Sequence, residues 1–344
     1  MDLDLLERAL LERGEPRFRA GQVWAWAARG AGGYEEMTDL PATLRQELAR
    51  ELPFSSLRLS DQRRARDGTV KALFATADGR PVEAVLMRYR DGRRSVCLSS
   101  QSGCPLTCTF CATGAMRFAR NLRASEIVEQ ALHFRRLAGG PLTNCVFMGM
   151  GEPMMNLEAV LEASARLPDL GVSHRRTTIS TVGWIPGIER LAEQEMPVRL
   201  ALSLHAAEEA LRSELMPVNE RYPLAEVIEA CRGFYARRRR RVFVEYVMLA
   251  GVNDRYEQAL ALAAALSPRR EGDPRVFKVN LIPYNPTGSR YRGSSRASIA
   301  AFRATLLERG IDATVRLTRG RDIDAACGQL AAAAAPLENS AAAG

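Results

Sequence analysis

The chain has 344 residues, 47% of them hydrophobic and 26% charged, with a net charge of +8. That length holds one large core, or a small domain joined to a larger one. No stretch reaches the roughly 18 apolar residues a membrane helix needs, and Met1 to Arg19 mixes acidic, basic and apolar residues where an export signal places a basic segment before an apolar one. The expectation is a cytoplasmic protein with no membrane association. Arginine greatly outnumbers lysine; a basic surface suits a polyanionic partner such as nucleic acid, although a genome rich in G and C accounts for the arginines equally well. Seven cysteines are an odd number, and three crowd between residues 104 and 111, a pattern of metal or redox chemistry rather than of a disulfide framework.

Residues 1–52 read as a small helical domain. Leu5, Leu6, Leu10 and Leu11, then Val23, Trp24, Trp26 and Ala27, recur at three-to-four spacing, and Pro41 opens a further helix through Leu44 and Leu48. Residues 53–93 read as a β-rich extension, with alternating segments Val70 to Ala75 and Val82 to Met87 and turn signals at Asp67-Gly68 and Asp78-Gly79. Strand-like runs then alternate with helical segments from residue 94 to 330. The runs are Val96 to Leu98, Cys145 to Met148, Thr177 to Ser180, Val198 to Leu204, Val242 to Leu249, Val276 to Ile282 and Thr314 to Leu317; the helices fall near 124–138, 156–166, 185–194, 223–236, 255–267 and 296–309. About six βα units predict an α/β fold with a parallel, partial barrel. The alanine-rich end, 331–344, reads as a disordered tail.

Cys104, Cys108 and Cys111 form C-x3-C-x2-C directly after the first of these strands. Three thiolates on one loop can each bind one iron of a [4Fe-4S] cluster and leave the fourth iron open to chelate S-adenosylmethionine. Structural zinc takes four ligands, commonly from two paired clusters, and neither a second C-x2-C nor an H-x3-H pair exists among the three histidines. Other motifs fall just past strand ends, where βα barrels place their ligand-binding residues: Gly149-Met150-Gly151-Glu152-Pro153, Ser180-Thr181-Val182-Gly183, Ser203-Leu204-His205, and Asn285. Each has an ordinary structural reading; their shared location makes Gly151, Glu152, Ser180, Ser203, Leu204, His205 and Asn285 candidate cofactor contacts. No G-x4-G-K-[ST] loop is present to hold a nucleoside triphosphate.

With Ala20-Gly21-Gln22-Val23-Trp24, Glu36-Met37-Thr38-Asp39-Leu40, Ser99-Ser100-Gln101 beside the cysteine triplet, and Gly320-Arg321-Asp322-Ile323-Asp324-Ala325-Ala326-Cys327-Gly328-Gln329-Leu330, the chain resembles the RlmN-type radical S-adenosylmethionine adenine methyltransferases of ribosomal and transfer RNA. The resemblance implies a radical SAM barrel and a two-stage reaction using two molecules of S-adenosylmethionine per turnover. The first methylates Cys327; the second is cleaved to a 5'-deoxyadenosyl radical that removes hydrogen from that methyl group, and the carbon radical adds to carbon 2 of adenine. Cys97 then resolves the protein–RNA adduct by forming a transient disulfide with Cys327, and Glu83 matches the residue assigned as base. The resemblance further implies an RNA-gripping role for residues 1–52, an electron donor such as a flavodoxin, and a monomer.

The bland reading of Cys327 is a small buried residue, but its position among Arg319 and Arg321 favours a thiolate. Cys145 and Cys231 sit among apolar neighbours and read as structural. The run Arg237 to Arg241 is a candidate phosphate contact or a solvated helix end. Two alternatives stay open: a Cfr-type enzyme acting on carbon 8 of adenine, and a non-catalytic RNA-binding factor that keeps the cluster for stability.

Overall fold

The computed structural model describes residues 1–330; the tail predicted as disordered lies outside the described residues. Three helices open the chain: α1 (Leu3–Glu12), α2 (Phe18–Arg29) and α3 (Ala42–Glu51). The Asp2 carboxylate caps α1 by accepting from the Leu5 amide at 3.0 Å, and Gly30 ends α2 with a left-handed φ of 111°, a conformation glycine adopts without a Cβ penalty. Leu6, Leu10, Val23, Ala27, Met37, Leu44 and Leu48 form their common core. The buried stripe of α1 is narrower than its leucine pattern predicts, since Leu5 and Leu11 are exposed. Trp24 leaves this core for the main one, where its indole donates to Asp169 at 2.7 Å and so ties the helices to the rest of the chain.

One ten-stranded sheet follows. Its first part is antiparallel: β1 (Arg58–Arg64), β2 (Val70–Ala75), β3 (Pro81–Arg88) and β4 (Arg94–Cys97). After the short pair β5 (Gln101–Ser102) and β6 (Arg120–Asn121) the chain becomes a series of parallel crossovers. In order these are α4 (Ala124–Leu137), β7 (Asn144–Phe147), α5 (Leu157–Arg166), β8 (Thr177–Thr181), α6 (Ile185–Glu193), β9 (Arg199–Ser203), α7 (Glu209–Leu215), α8 (Leu224–Arg238), β10 (Val242–Met248), α9 (Tyr256–Leu266), β11 (Phe277–Pro283), α10 (Arg296–Glu308) and β12 (Ala313–Val315). The strand order β1-β2-β3-β4-β7-β8-β9-β10-β11-β12 follows the sequence. Six helical crossovers therefore join seven parallel strands, and every C-terminal strand end faces the same way.

Parallel strands are covered on both faces, and all five residues of β8 are buried. β1 is the opposite case: all seven of its residues are exposed, so no alternation marks it, and only its ladder to β2 makes it a strand. Its charges blunt the open edge against pairing with another chain. The β-rich extension is thus not a separate sheet but a continuation of the parallel one through β3 and β4. The segment leading into β1 is held from α4, where the buried Glu129 carboxylate accepts from the amides of Ser56 at 3.0 Å and Leu57 at 2.9 Å.

His133, also on α4, packs edge-on against Phe74 and shares a 2.8 Å hydrogen bond with Gln62 of β1. Burial, with a smaller contribution from Arg136, lowers its pKa from 6.5 to about 4. The folded chain then binds fewer protons than the unfolded one between those values, so this stability is present above pH 6.5 and is lost as pH falls through about 4. Urea midpoints measured across this range should fall more steeply for the wild type than for His133→Gln; equal slopes would refute the assignment.

Candidate active site

The loop after β5 carries Cys104, Cys108 and Cys111. Gly103 enters it at φ 74°, where a Cβ would overlap the Arg117 carbonyl, and the Cys111 amide turns back to the Cys108 carbonyl at 3.2 Å. Burial pushes the Cys104 thiol up to about 12 and raises Cys108 and Cys111 as well, with the sulfurs opposing one another's ionisation.

The Ser99 to Gln101 segment and the Met150 to Glu152 segment dock on each other. Ser99 Oγ accepts from the Met150 amide at 2.8 Å, the Gln101 side-chain carbonyl accepts from the Glu152 amide at 2.8 Å, and the Met150 carbonyl accepts from the Ser100 amide at 2.9 Å. Gly151, at φ 98°, fits because a Cβ there would lie 2.5 Å from the Gln101 Cβ. The lock aims Glu152 into a cleft of about 850 Å³ that Cys108, Cys111, Ser180, Ser203, His205 and Cys327 also line.

Glu152 is 2% exposed. Its two oxygens accept from the amides of Met154 at 3.0 Å and Val182 at 2.9 Å, yet burial outweighs these bonds and raises its pKa from 4.5 to about 7. A cationic ligand would reverse that shift. His205, held at φ 60°, accepts the Val247 amide on Nδ1 at 3.0 Å. Burial lowers its pKa to about 3, so the ring is neutral and Nε2 bears the proton. Ser180 and Ser203 share a 3.3 Å hydrogen bond across β8 and β9.

Two predicted cofactor contacts face elsewhere. The Leu204 side chain is fully buried in the main core. Asn285 points toward the C-terminal segment, its amide nitrogen donating to the Cys327 carbonyl at 3.3 Å and its oxygen accepting from Arg321 at 3.0 Å. Glu83 lines a third cavity, paired with Lys71 at 3.1 Å.

Cys97, at the end of β4, and Cys327 both line a second cleft of about 530 Å³, and Cys327, Arg316, Met148 and Ile282 are common to its wall and that of the first. Burial pushes the Cys97 thiol up to about 12, the Cys327 sulfur adding to the rise and Arg316 opposing it. Arg316 just past β12 is anchored by Glu245 at 3.4 Å and is driven further into its charged form, the Cys327 sulfur contributing most. Neither Arg316 nor Glu245 stands out in the sequence. Nor does Arg212, fully buried beneath the cleft, which donates to the Val182 carbonyl at 2.6 Å and the Leu204 carbonyl at 3.3 Å.

Cys145 and Cys231 are completely buried in the main core. The Arg237 to Arg241 run lies before β10, at the strand ends opposite the cysteines, with Arg237 paired to Glu193 and Arg241 to Asp312.

These residues fit an iron–sulfur cluster better than a single ion. Among the described residues no three His, Cys, Asp or Glu side chains converge as a mononuclear site requires, whereas a cluster takes each thiolate on a separate iron. Cys104, Cys108 and Cys111 would hold it, beside a cleft with a buried carboxyl ready for an ammonium group.

Comparison with known proteins decides the family. Residues 98–263 match the radical SAM superfamily, and residues 1–52 match the ribosomal RNA large subunit methyltransferase N-terminal domain. The chain is 47% identical over 338 residues to the probable dual-specificity RNA methyltransferase RlmN of Moorella thermoacetica, covering 94% of each chain. It belongs to the RlmN family of radical SAM RNA methyltransferases. A second RlmN relative, from Thermus thermophilus, is 45% identical over 96% of this chain and 92% of its own. The crystal structure of a radical SAM methyltransferase from Sphaerobacter thermophilus superposes with a TM-score of 0.87 at 46% identity, covering 96% of this chain and 97% of that one. Like its superfamily, this RlmN chain uses a [4Fe-4S] cluster and S-adenosylmethionine. No helix among the described residues is long and apolar enough to cross a membrane.

Gly151→Ala should lower stability by about 2 kcal/mol, from the left-handed backbone and the overlap with Gln101, and should weaken S-adenosylmethionine binding to the reconstituted protein. Thermal unfolding and calorimetric titration read the two effects; wild-type values in both would contradict the packing argument.

Proposed function

We propose that this chain methylates carbon 2 of a specific adenine in large-subunit ribosomal RNA and of the adenine 3' to the anticodon in transfer RNAs. The observation that carries this reading is the place of Cys327, on the wall between a cleft containing Cys108, Cys111 and Glu152 and one containing Cys97. The relatives' shared name, dual-specificity RNA methyltransferase, supports RNA as substrate at two sites.

When bound, the cluster and S-adenosylmethionine supply a methyl donor, an electron and a group that abstracts hydrogen. Cys327 carries the methyl carbon. Carbon 2 of adenine is electron-poor and cannot attack a sulfonium methyl, so the carbon on Cys327 reaches it as a radical. The adduct radical gives up one electron, for which the cluster would be the acceptor, and its carbon 2 proton goes to Glu83, which shares its cavity with Asp324 and Gln329 of the segment that bears Cys327. The Cys97 sulfur then attacks the Cys327 sulfur; the carbon–sulfur bond breaks, its electron pair stays with carbon and takes a proton, and a methyl group is left on the base. The two cysteines emerge as a disulfide that must be reduced before the next cycle. Arg316 favours the Cys97 thiolate, and an extruded adenine is the form that reaches such a site. Residues 1–52 contribute RNA contacts, and an electron donor such as a flavodoxin completes the system.

Reconstituted enzyme incubated with a ribosomal RNA fragment should yield 2-methyladenosine on digestion and mass spectrometry; 8-methyladenosine would overturn the assigned position. Cys327→Ala should abolish methylation, and Cys97→Ala should trap a covalent protein–RNA adduct visible on a denaturing gel. Full methylation by Cys327→Ala would overturn the mechanism.

A further inference from the structure

The segment from Arg319 to Leu330 has no helix or strand of useful length to hold it, yet it must present Cys327 to two different partners. Ahead of Cys327 two of its residues sit in left-handed backbone, Gly320 at φ 66° and the non-glycine Asp324 at φ 52°. The non-glycine Asp324 keeps such a backbone only where surrounding contacts enforce it, and at both residues contacts come from the turn between β1 and β2 and the strand that leaves it.

At the first, Asp67 divides its carboxylate. Oδ1 accepts from the Thr69 amide at 2.9 Å and closes its own turn, while Oδ2 accepts from the Gly320 amide at 3.1 Å. Thr69 packs against Gly320 so closely that a Cβ there would lie 2.9 Å from the threonine Cγ2. The Arg319 side chain donates to the Asp67 carbonyl at 3.3 Å, and the Arg66 amide donates to the Asp322 carboxylate at 3.0 Å. At the second, Lys71 Nζ donates to the Asp324 carbonyl at 3.2 Å and forms an ion pair with Glu83 Oε1 at 3.1 Å. Ala325, next along, joins Cys97, Val85, Met150 and Leu330 in one small core.

We propose that Asp67 and Lys71 are positioning residues for the sulfur chemistry: the β1–β2 turn is a clasp that fixes the Arg319 to Ala325 segment and thereby sets Cys327 within reach of Cys97. Lys71 also holds Glu83 against the same segment, so one ammonium group places the base and the methyl carrier together. The proposal rests on the reading of Cys327 and Cys97 as the reacting pair.

Thiol–disulfide equilibrium tests it without RNA or turnover. Reconstituted holoenzyme is equilibrated anaerobically in mixtures of reduced and oxidised glutathione, free thiols are alkylated, and the Cys97–Cys327 disulfide is quantified by peptide mass spectrometry. One glutathione disulfide accepts the two electrons of the pair and leaves as two thiols, so the equilibrium constant reports the effective concentration of one sulfur near the other. Asp67→Ala and Lys71→Met should each lower that constant about tenfold or more, as a small misplacement of reacting groups does, while iron content stays at the wild-type level. Unchanged constants in both variants would overturn the clasp. If either variant loses its cluster, the same titration in the wild type and in Arg66→Pro, which removes the amide donated to Asp322 and leaves Asp67 and Lys71 in place, decides instead: an unchanged constant overturns the proposal and a lowered one supports it. Failure of the underlying reading shows separately, as full methylation by Cys327→Ala.

Discussion

Burial is the largest cause of the shifted ionisation at Cys97, Cys104, Cys108, Cys111, Glu152 and His205. All six shifts move the group toward its neutral form. Groups buried this way cost free energy to ionise. Cations would reverse the cost, iron at the three loop thiols and a ligand ammonium at Glu152; at Cys97 the guanidinium of Arg316 opposes the rise without cancelling it. Binding the cations releases protons, so assembly of the site and its ionisation are one event. His205 stands apart, since burial and the neighbouring Arg212 both keep its ring neutral.

The rest of the architecture keeps these groups dry and aimed. Strand order brings the ends of β4, β7, β8, β9, β10 and β11 to one rim, and the docking of Ser99 to Gln101 on Met150 to Glu152 joins the first two. Arg212 ties the Val182 and Leu204 carbonyls below. The C-terminal segment closes the rim from outside. It is fastened to the cluster loop, where the Ala112 amide donates to the Gly328 carbonyl at 2.8 Å, to Asn285, and to the antiparallel hairpin.

Much of this could be read from the sequence wherever burial imposes a period. The helices α4 to α6 and α8 to α10 fall within a residue or two of the segments their apolar spacing predicts, and the buried parallel strands stand out as apolar runs. β1 escaped because nothing on it is buried, and α7 because a two-turn insertion carries little periodic signal. The cysteine loop was legible from spacing alone, but the facing of single residues was harder. Strand side chains alternate, so with Ser203 at the end of β9 facing the cleft the next residue, Leu204, turns to the core; that signal was available at the motif. Arg316 and Glu245 gave none, because a lone charge acquires meaning only when a distant part of the fold supplies its partner. Asn285 was located correctly along the chain, while the partner of its amide depends on a segment that arrives last.

The interlock of Gln101 with Gly151 also bears on how such a chain can change over generations. A larger residue in place of Gly151 needs a smaller one at Gln101, and that exchange removes the acceptor of the Glu152 amide. Neither position has a neutral first step, so the two segments behave as a single inherited unit. Drift is left to exposed surfaces, where fewer second residues have to agree.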